Sequence, residues 1–300
     1  MDRRNFIKNS SLLAFSVSAF GSISWNGKNY AGDTATTTDI LGPFYRPGSP
    51  IRSTIIASGS KGDVLHLSGT IHQKDGKNPL SNALIEIWQC DENEHYDNTS
   101  DEYRFRGALK TGKDGKYHFK TIIPVPYKAS ESMWRPAHIH IRVSSSDHQD
   151  LISQIYFKGD PHLSKDTSSA SPHSAHRILE INKNQNNEHE VNFDIVMRDT
   201  FPLDPAMFDK ITGLYQTEMG NVEFIQNDDL LYLKLNGQLM EGLAYKGNNT
   251  FEGGLGYIKT RFELLPDGGS KAVISVADYD NGNLSSVKTY GGERFLKYGD

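Results

Sequence analysis

From Asp63 to about Met197 the chain is a succession of short alternating runs cut off by turn residues, with no long stretch of helical period. Asp63 to His72 alternates apolar and polar, and Ala83 to Trp88 reads as a strand with one buried face. Tyr117 to Thr121, Pro136 to Val143, Leu151 to Phe157 and Val191 to Met197 are further strands. Lys74 to Pro79 reads as a turn, and Lys113-Asp114-Gly115-Lys116 as a hairpin turn leading into Tyr117. Successive side chains of a strand point to opposite faces, so each run can present one apolar face to a core. Evenly spaced short strands of this kind predict an all-β fold, a β-sandwich.

A second β-rich unit begins near Phe208. Val222 to Ile225, Leu230 to Leu235, Lys259 to Leu265 and Ala272 to Ala277 read as its strands. Its turns are Asn227-Asp228-Asp229, Asn236-Gly237, Pro266 to Gly269 and Asn281-Gly282. It weakly resembles the small lipocalin-like barrel often appended to serine hydrolases of the β-lactamase type. It contains no histidine, which argues against a metal centre in it. Phe201-Pro202-Leu203-Asp204-Pro205 is the expected boundary. The expected organisation is therefore an export signal and linker over 1–31, a sandwich over 32–200 and a smaller barrel-like unit over 206–300.

The first thirty residues differ from the rest. Arg3-Arg4-Asn5-Phe6-Ile7-Lys8 precedes an uncharged run, Ser10 to Ser24, that is too short to span a membrane as a helix. The paired arginines followed by Phe-Ile-Lys resemble the twin-arginine export signal, which carries proteins already folded. A plain membrane anchor or a general secretory signal are the alternatives. No cysteine lies near the run, which excludes a lipid-anchored lipoprotein; the single Cys90 also forbids an intramolecular disulfide. A net charge of −5 without a basic stripe argues against a nucleic-acid partner.

The sharpest chemical signal is Trp134-Arg135-Pro136-Ala137-His138-Ile139-His140. Positions i and i+2 of a strand share a face, so His138 and His140 can aim both imidazoles at one ion. His-x-His alone is a weak signal. Cupins use it too, with a glutamate a few residues on, but here Ile141-Arg142-Val143-Ser144-Ser145-Ser146 follows.

The surroundings lift it. Leu41-Gly42-Pro43-Phe44-Tyr45-Arg46-Pro47, Pro79-Leu80, Ile85-Glu86-Ile87-Trp88-Gln89, Phe105-Arg106-Gly107, Pro124-Val125-Pro126-Tyr127, Arg135 to His140 and Leu151 to Pro161 occur in one order. Together they resemble the intradiol ring-cleavage dioxygenases, especially the protocatechuate 3,4-dioxygenase branch, over about residues 40 to 198. The resemblance implies an Fe(III) cofactor held by Tyr96, Tyr127, His138 and His140. Tyr96 stands eight residues after Trp88, and Tyr127 ends a Pro-x-Pro-Tyr motif. Phenolate is a hard anionic ligand that suits a ferric ion.

The resemblance also implies roles. Tyr127 leaves the metal as a base when the diol binds, Arg135 stabilises developing negative charge, and Gln154 assists near the substrate oxygens. The implied reactants are a small aromatic diol and O2, and the implied product is a dicarboxylate. A homo-oligomer is left open. Cys90 and Glu94-His95 depart from the family's usual loop, and His95 borders Tyr96. The spacing from Tyr127 to Arg135 is a little short. His66, His72, His118, His148, His162, His173, His176 and His189 read as surface or structural. Two other readings stand beside this one. A non-catalytic transthyretin-like binding module would explain the strands but not the four ligand positions together. A zinc hydrolase would want a carboxylate or cysteine ligand.

Overall fold

The computed structural model describes residues 35–131, 133–280 and 283–297. Ahead of them it gives only the backbone of three short paired strands, β1 (Ser16–Ser18), β2 (Gly21–Trp25) and β3 (Tyr30–Ala31). The side chains of the expected export signal lie outside the described residues. No helix among the described residues is long and apolar enough to cross a membrane.

The fold is all-β, a sandwich followed by a closed barrel. One sheet of the sandwich orders its strands β12 (Ile178–Leu179), β11 (His148–Phe157), β10 (His138–Ser145), β5 (Leu84–Trp88) and β6 (Arg106–Lys110), and β16 (Arg198–Asp199) pairs with β11. The other contains β13 (Asn182–Lys183), β14 (His189–Asn192), β4 (Val64–His72) and β15 (Ile195–Val196), with β7 (Lys116–Ile122) also on β4. A small hairpin, β8 (Tyr127–Ser130) with β9 (Met133–Arg135), stands apart from both sheets.

The alternation in the sequence becomes the core. Leu65, Leu67 and Ile71 of β4 and Phe119 of β7 meet Ile85 and Ile87 of β5, Ile139, Ile141 and Val143 of β10, and Ile155 of β11. That leaves His138, His140 and Arg142 on the other face of β10, away from the inter-sheet core. This second face is not in water: all ten residues of β11 are buried. Residues 35–45 run across it as a strap, with Asp39 N–H donating to Ile152 O at 2.9 Å and Ser153 Oγ to Thr37 O at 2.8 Å.

Two expectations need correction. The Lys113–Lys116 turn does not close a hairpin: β6 pairs with β5 while β7 pairs with β4, so the turn crosses from one sheet to the other. Gly115 there takes φ +67, and a Cβ on it would sit 2.6 Å from Ile71 O. Val191 to Met197 is not one strand but breaks at Phe193-Asp194. Phe193 N–H still donates to Ser68 O of β4 at 2.8 Å, but its carbonyl accepts from Tyr117 Oη at 2.5 Å and Thr70 N–H donates to the Asp194 carboxylate, so the backbone pairing is interrupted there.

The second unit opens with a short helix, α1 (Ala206–Ile211). Its barrel closes through β17 (Gly213–Thr217), β18 (Gly220–Asn227), β19 (Leu230–Leu235), β20 (Gln238–Tyr245), β21 (Thr250–Glu252), β22 (Ile258–Leu264), β23 (Ser270–Asp280) and β24 (Asn283–Leu296). Tyr215, Phe224, Phe251 and Phe262 meet edge to face inside, and Met207, Phe208 and Ile211 of α1 join them. Asn236 (φ +49) and Gly237 (φ +84) make the expected two-residue turn between β19 and β20. The Asn281-Gly282 turn lies outside the described residues.

Sandwich and barrel share a third apolar cluster. Leu41, Tyr45, Trp88 and Ile152 pack against Leu230, Tyr232 and Ala244. Fully burying one large apolar side chain contributes roughly 1.5–3 kcal/mol, so this seam is a stable one. Beside it the buried Arg142 bonds Asp150 Oδ2 at 2.7 Å, Tyr45 Oη at 2.8 Å and Asp228 Oδ2 of the barrel at 3.0 Å.

Candidate metal centre

Strand register builds the site. β10 lies antiparallel to β11 and β5, with His138 opposite Tyr156 and His140 opposite Gln154 and Trp88. Cross-strand neighbours share a face, so these five side chains form one polar and aromatic patch on the sheet. Trp88 stacks on His140 with ring centroids 4.8 Å apart and planes 8° apart, which fixes the imidazole from behind. Tyr127 arrives on the separate hairpin, directly opposite Arg135. The short Tyr127–Arg135 spacing in the sequence is this tight hairpin. Tyr96 comes from the loop after β5, with Phe44 of the strap stacked on its ring at 4.4 Å.

The sequence-predicted ligands converge. Tyr96 Oη lies 3.2 Å from His138 Nε2, which lies 3.2 Å from His140 Nε2. The Tyr127 ring is 5.6 Å from those of both Tyr96 and His138. Pro136 O accepts from His138 Nδ1 at 2.6 Å. With the proton on Nδ1, His138 turns its Nε2 lone pair into the cluster. Burial holds both imidazoles well below their ordinary pKa, and Arg135 adds to the effect, so both stay neutral. Burial pushes Tyr96 well above the usual phenol value, and Tyr127 upward also, though Arg135 opposes this for Tyr127. Tyr96 keeps part of its surface accessible while its hydroxyl is deep.

Such a cluster fits a cation. Neutral nitrogens and phenol oxygens turned towards one another in a dry site gain from a shared positive charge, which would also draw off the phenol protons. Two imidazoles and two ionisable phenols form the mixed nitrogen and hard-oxygen donor set that suits a ferric ion. Among the described residues no group of three or more His, Cys, Asp and Glu gathers to hold a metal. A donor set of four at this place would need the two tyrosines beside the two imidazoles.

Arg135 sits beside the cluster and is buried. Its Nη2 donates to Gln154 Oε1 at 2.7 Å, and its Nε lies 2.6 Å from Asp166 Oδ1. Burial, the largest single effect, would weaken the guanidinium's hold on its proton; Asp166, Tyr156, Tyr127 and Asp39 together outweigh it and raise the pKa above the ordinary value. Gln154 donates in turn from Nε2 to Ile40 O at 2.8 Å. Gln154 thus spends both ends of its amide on the protein, orienting the arginine. Tyr156 Oη donates to Asp39 Oδ2 at 2.8 Å, and Asp39 also accepts from Arg177 Nη1. Asp166, Tyr156 and Asp39 were not singled out from the sequence. The first and last lie in irregular segments without a motif, and Tyr156 could have been found by counting two residues from Gln154.

The remaining candidates fall elsewhere. His95 is exposed, with its ring 3.9 Å from Asp91. His66 and His118 bond each other at 3.0 Å across β4 and β7, and His162 stacks on Trp134. Burial pushes the Cys90 thiol up to about 12, which leaves it inert at neutral pH.

Residues 40–199, more than half of the chain, match the family model described as Dioxygenase. The chain is 30% identical over 195 residues to a chlorocatechol 1,2-dioxygenase of Rhodococcus opacus, covering 57% of this chain and 73% of that protein. It is 34% identical over 182 residues to a hydroxyquinol 1,2-dioxygenase of Nocardioides simplex, covering 55% of this chain and 60% of that one. Among solved structures, the 3-chlorocatechol 1,2-dioxygenase of Rhodococcus opacus 1CP superposes with a TM-score of 0.50 at 25% identity, over 55% of this chain and 73% of that one. A β-sandwich with a buried His-x-His strand and two tyrosines, matched in this way, places the chain in one class of enzyme. It belongs to the intradiol ring-cleavage dioxygenase family. The named relatives are of the catechol and hydroxyquinol kind, and the match leaves the barrel outside it.

Proposed function

We propose that the chain is an exported Fe(III)-dependent dioxygenase that inserts both atoms of O2 into an aromatic ortho-diol, cleaving the bond between the hydroxyl-bearing carbons. The product is a cis,cis-muconate-type dicarboxylate, and diol plus O2 accounts for every atom in it. The observation that carries the reading is the convergence of Tyr96, Tyr127, His138 and His140 beside a buried, charge-fixed Arg135.

Iron held by these four side chains would supply Lewis acidity, giving the bound diol carbanion character towards O2. His138 and His140, fixed by Pro136 O and by Trp88, would hold their share of the ion as neutral ligands. Tyr127, on a hairpin of its own, is the group placed to accept a proton from a diol hydroxyl. The Arg135 guanidinium, kept cationic by Asp166 and aimed by Gln154, stabilises negative charge developing on the ring. A catechol-type ring suits the reading best, since the relatives quoted above are named for catechols and hydroxyquinol; a protocatechuate-type ring is the second candidate.

Product analysis tests this. With catechol, hydroxyquinol and protocatechuate offered in turn, at least one should give the dicarboxylate with one O2 consumed per turnover. A semialdehyde from cleavage beside the hydroxyls, or no product with any diol, would overturn it. Export rests on Arg3 and Arg4. Replacing both with lysine should leave folded precursor in the cytoplasm, and unchanged export of the double variant would exclude the twin-arginine route.

A further inference from the structure

The barrel touches the strap at the stretch that backs the site. Glu241, buried in β20, accepts the Leu41 backbone N–H at 3.0 Å through the same Oε1 that accepts Gly242 N–H at 2.9 Å. Beyond β21, Leu255 N–H donates to Thr38 Oγ1 at 3.3 Å. Between these bonds the barrel backbone lies flat on the strap: a Cβ added to Gly254 would fall 1.9 Å from Asp39 O. Only glycine permits this approach. A carboxyl group buried on the wall of an apolar barrel is costly unless its oxygens are satisfied, and here the strap supplies part of that satisfaction.

The clamped residues are those that reach the site. Ile40 O holds Gln154, which aims Arg135. Asp39 holds Tyr156 and Arg177. Gly42 lies against His140, since a Cβ there would meet its Cε1 at 3.3 Å, and Phe44 stacks on Tyr96. The strap is thus bonded to the sandwich on one side and to the barrel on the other.

We infer that the C-terminal barrel is a positioning element of the metal centre, in which Glu241 and Gly254 clamp residues 38–41 and thereby fix the strap behind Tyr96, His140 and Gln154. Glu241 bonds none of the four candidate ligands and reaches the strap through Leu41. Supporting groups of this kind, once removed, typically cost metal affinity or activity about 10–100-fold. The inference rests on the ligand reading of Tyr96, Tyr127, His138 and His140.

The test uses the full chain carrying Glu241→Leu, with Glu241→Gln as the conservative control because an amide oxygen can still accept from Leu41. Hydrogen exchange without metal follows residues 38–45, and iron titration with the visible spectrum follows the centre. In Glu241→Leu, exchange over 38–45 should rise while β4 and β7 stay as in the wild type, and iron affinity should fall about tenfold or more. Glu241→Gln should keep both near wild type. Should Glu241→Leu not fold, Gly254→Ala attacks the same clamp by forcing a methyl against Asp39 O, with the same expectations. A strap that loosens while iron affinity and spectrum stay unchanged would overturn the inference. So would loosening confined to the barrel. A wild-type protein that binds no iron would instead overturn the reading of the site itself, and the wild-type control separates the two failures.

Discussion

The outer face of the β5–β10–β11 sheet and the inside of the barrel are both buried, and they are buried in opposite ways. The barrel closes on Tyr215, Phe224, Phe251 and Phe262, with the one ring hydroxyl among them bonded to Ile211 O and Ser270 Oγ. The sheet face carries His138, His140, Gln154 and Tyr156, and the last two join Arg135 of the β8–β9 hairpin in a chain of hydrogen bonds that ends on Asp166 and Asp39. Burying aromatic area stabilises without further arrangement, whereas every buried polar group costs free energy until it is partnered. The polar face is therefore the one that needs a purpose. Its own bonds do not satisfy it fully, as the unpartnered His140 Nδ1 illustrates.

That contrast can be broken by substitution, and the largest effect should come from the ligands. His138→Ala or His140→Ala should abolish iron binding and diol turnover together, read by metal analysis and oxygen uptake. The fold itself should survive, because the inter-sheet core of Ile139 and Ile141 on the opposite face is untouched. Arg135→Ala should retain iron and colour, since a cationic guanidinium repels rather than binds a ferric ion. Its turnover should fall on the order of a hundredfold or more, the usual loss for one preorganised electrostatic group. Wild-type turnover by that variant would remove the role assigned to the arginine.

The barrel should respond the other way. Phe224→Ala in its aromatic core should cost about 3–5 kcal/mol of stability in denaturant unfolding, while the folded fraction keeps the wild-type iron spectrum. A smaller effect sharpens the comparison through pH. Burial raises the Glu241 carboxyl to about 8 from its ordinary 4.5, with the Leu41 and Gly242 amides opposing the shift. The folded chain then keeps a proton that the unfolded chain releases, and stability declines as the pH rises through that window. Glu241→Gln should flatten the fall in melting temperature between about pH 5 and pH 8. An unchanged slope would show that Glu241 is ionised in the fold throughout.

The sequence and the structure agree best where period and motif coincide. His138 and His140 were legible because a strand sends alternate residues one way, and Tyr96 and Tyr127 because a resemblance supplied their places. The sandwich strands were legible from alternation, β4 most clearly. What stayed hidden depends on contacts distant in the chain. Asp166 pairs with Arg135 from a loop, and Glu241 reaches Leu41 across two hundred residues. Four barrel strands also escaped notice. β20 buries Glu241 and Gly242 where alternation would want apolar residues, and β24 exposes Leu284, Val287, Phe295 and Leu296. β21 is too short for a pattern to be visible, and β17 offers only Leu214 and Tyr215 as apolar residues, side by side and without alternation.

The claim on which everything else depends is that Tyr96 and Tyr127 bind a ferric ion as phenolates together with His138 and His140. Iron titration of the purified chain, followed by visible absorption, tests it most directly. One equivalent of Fe(III) should produce a red-brown phenolate-to-iron charge-transfer band, and Tyr96→Phe and Tyr127→Phe should each alter it. A colourless protein that carries stoichiometric zinc and takes up no iron would contradict the account.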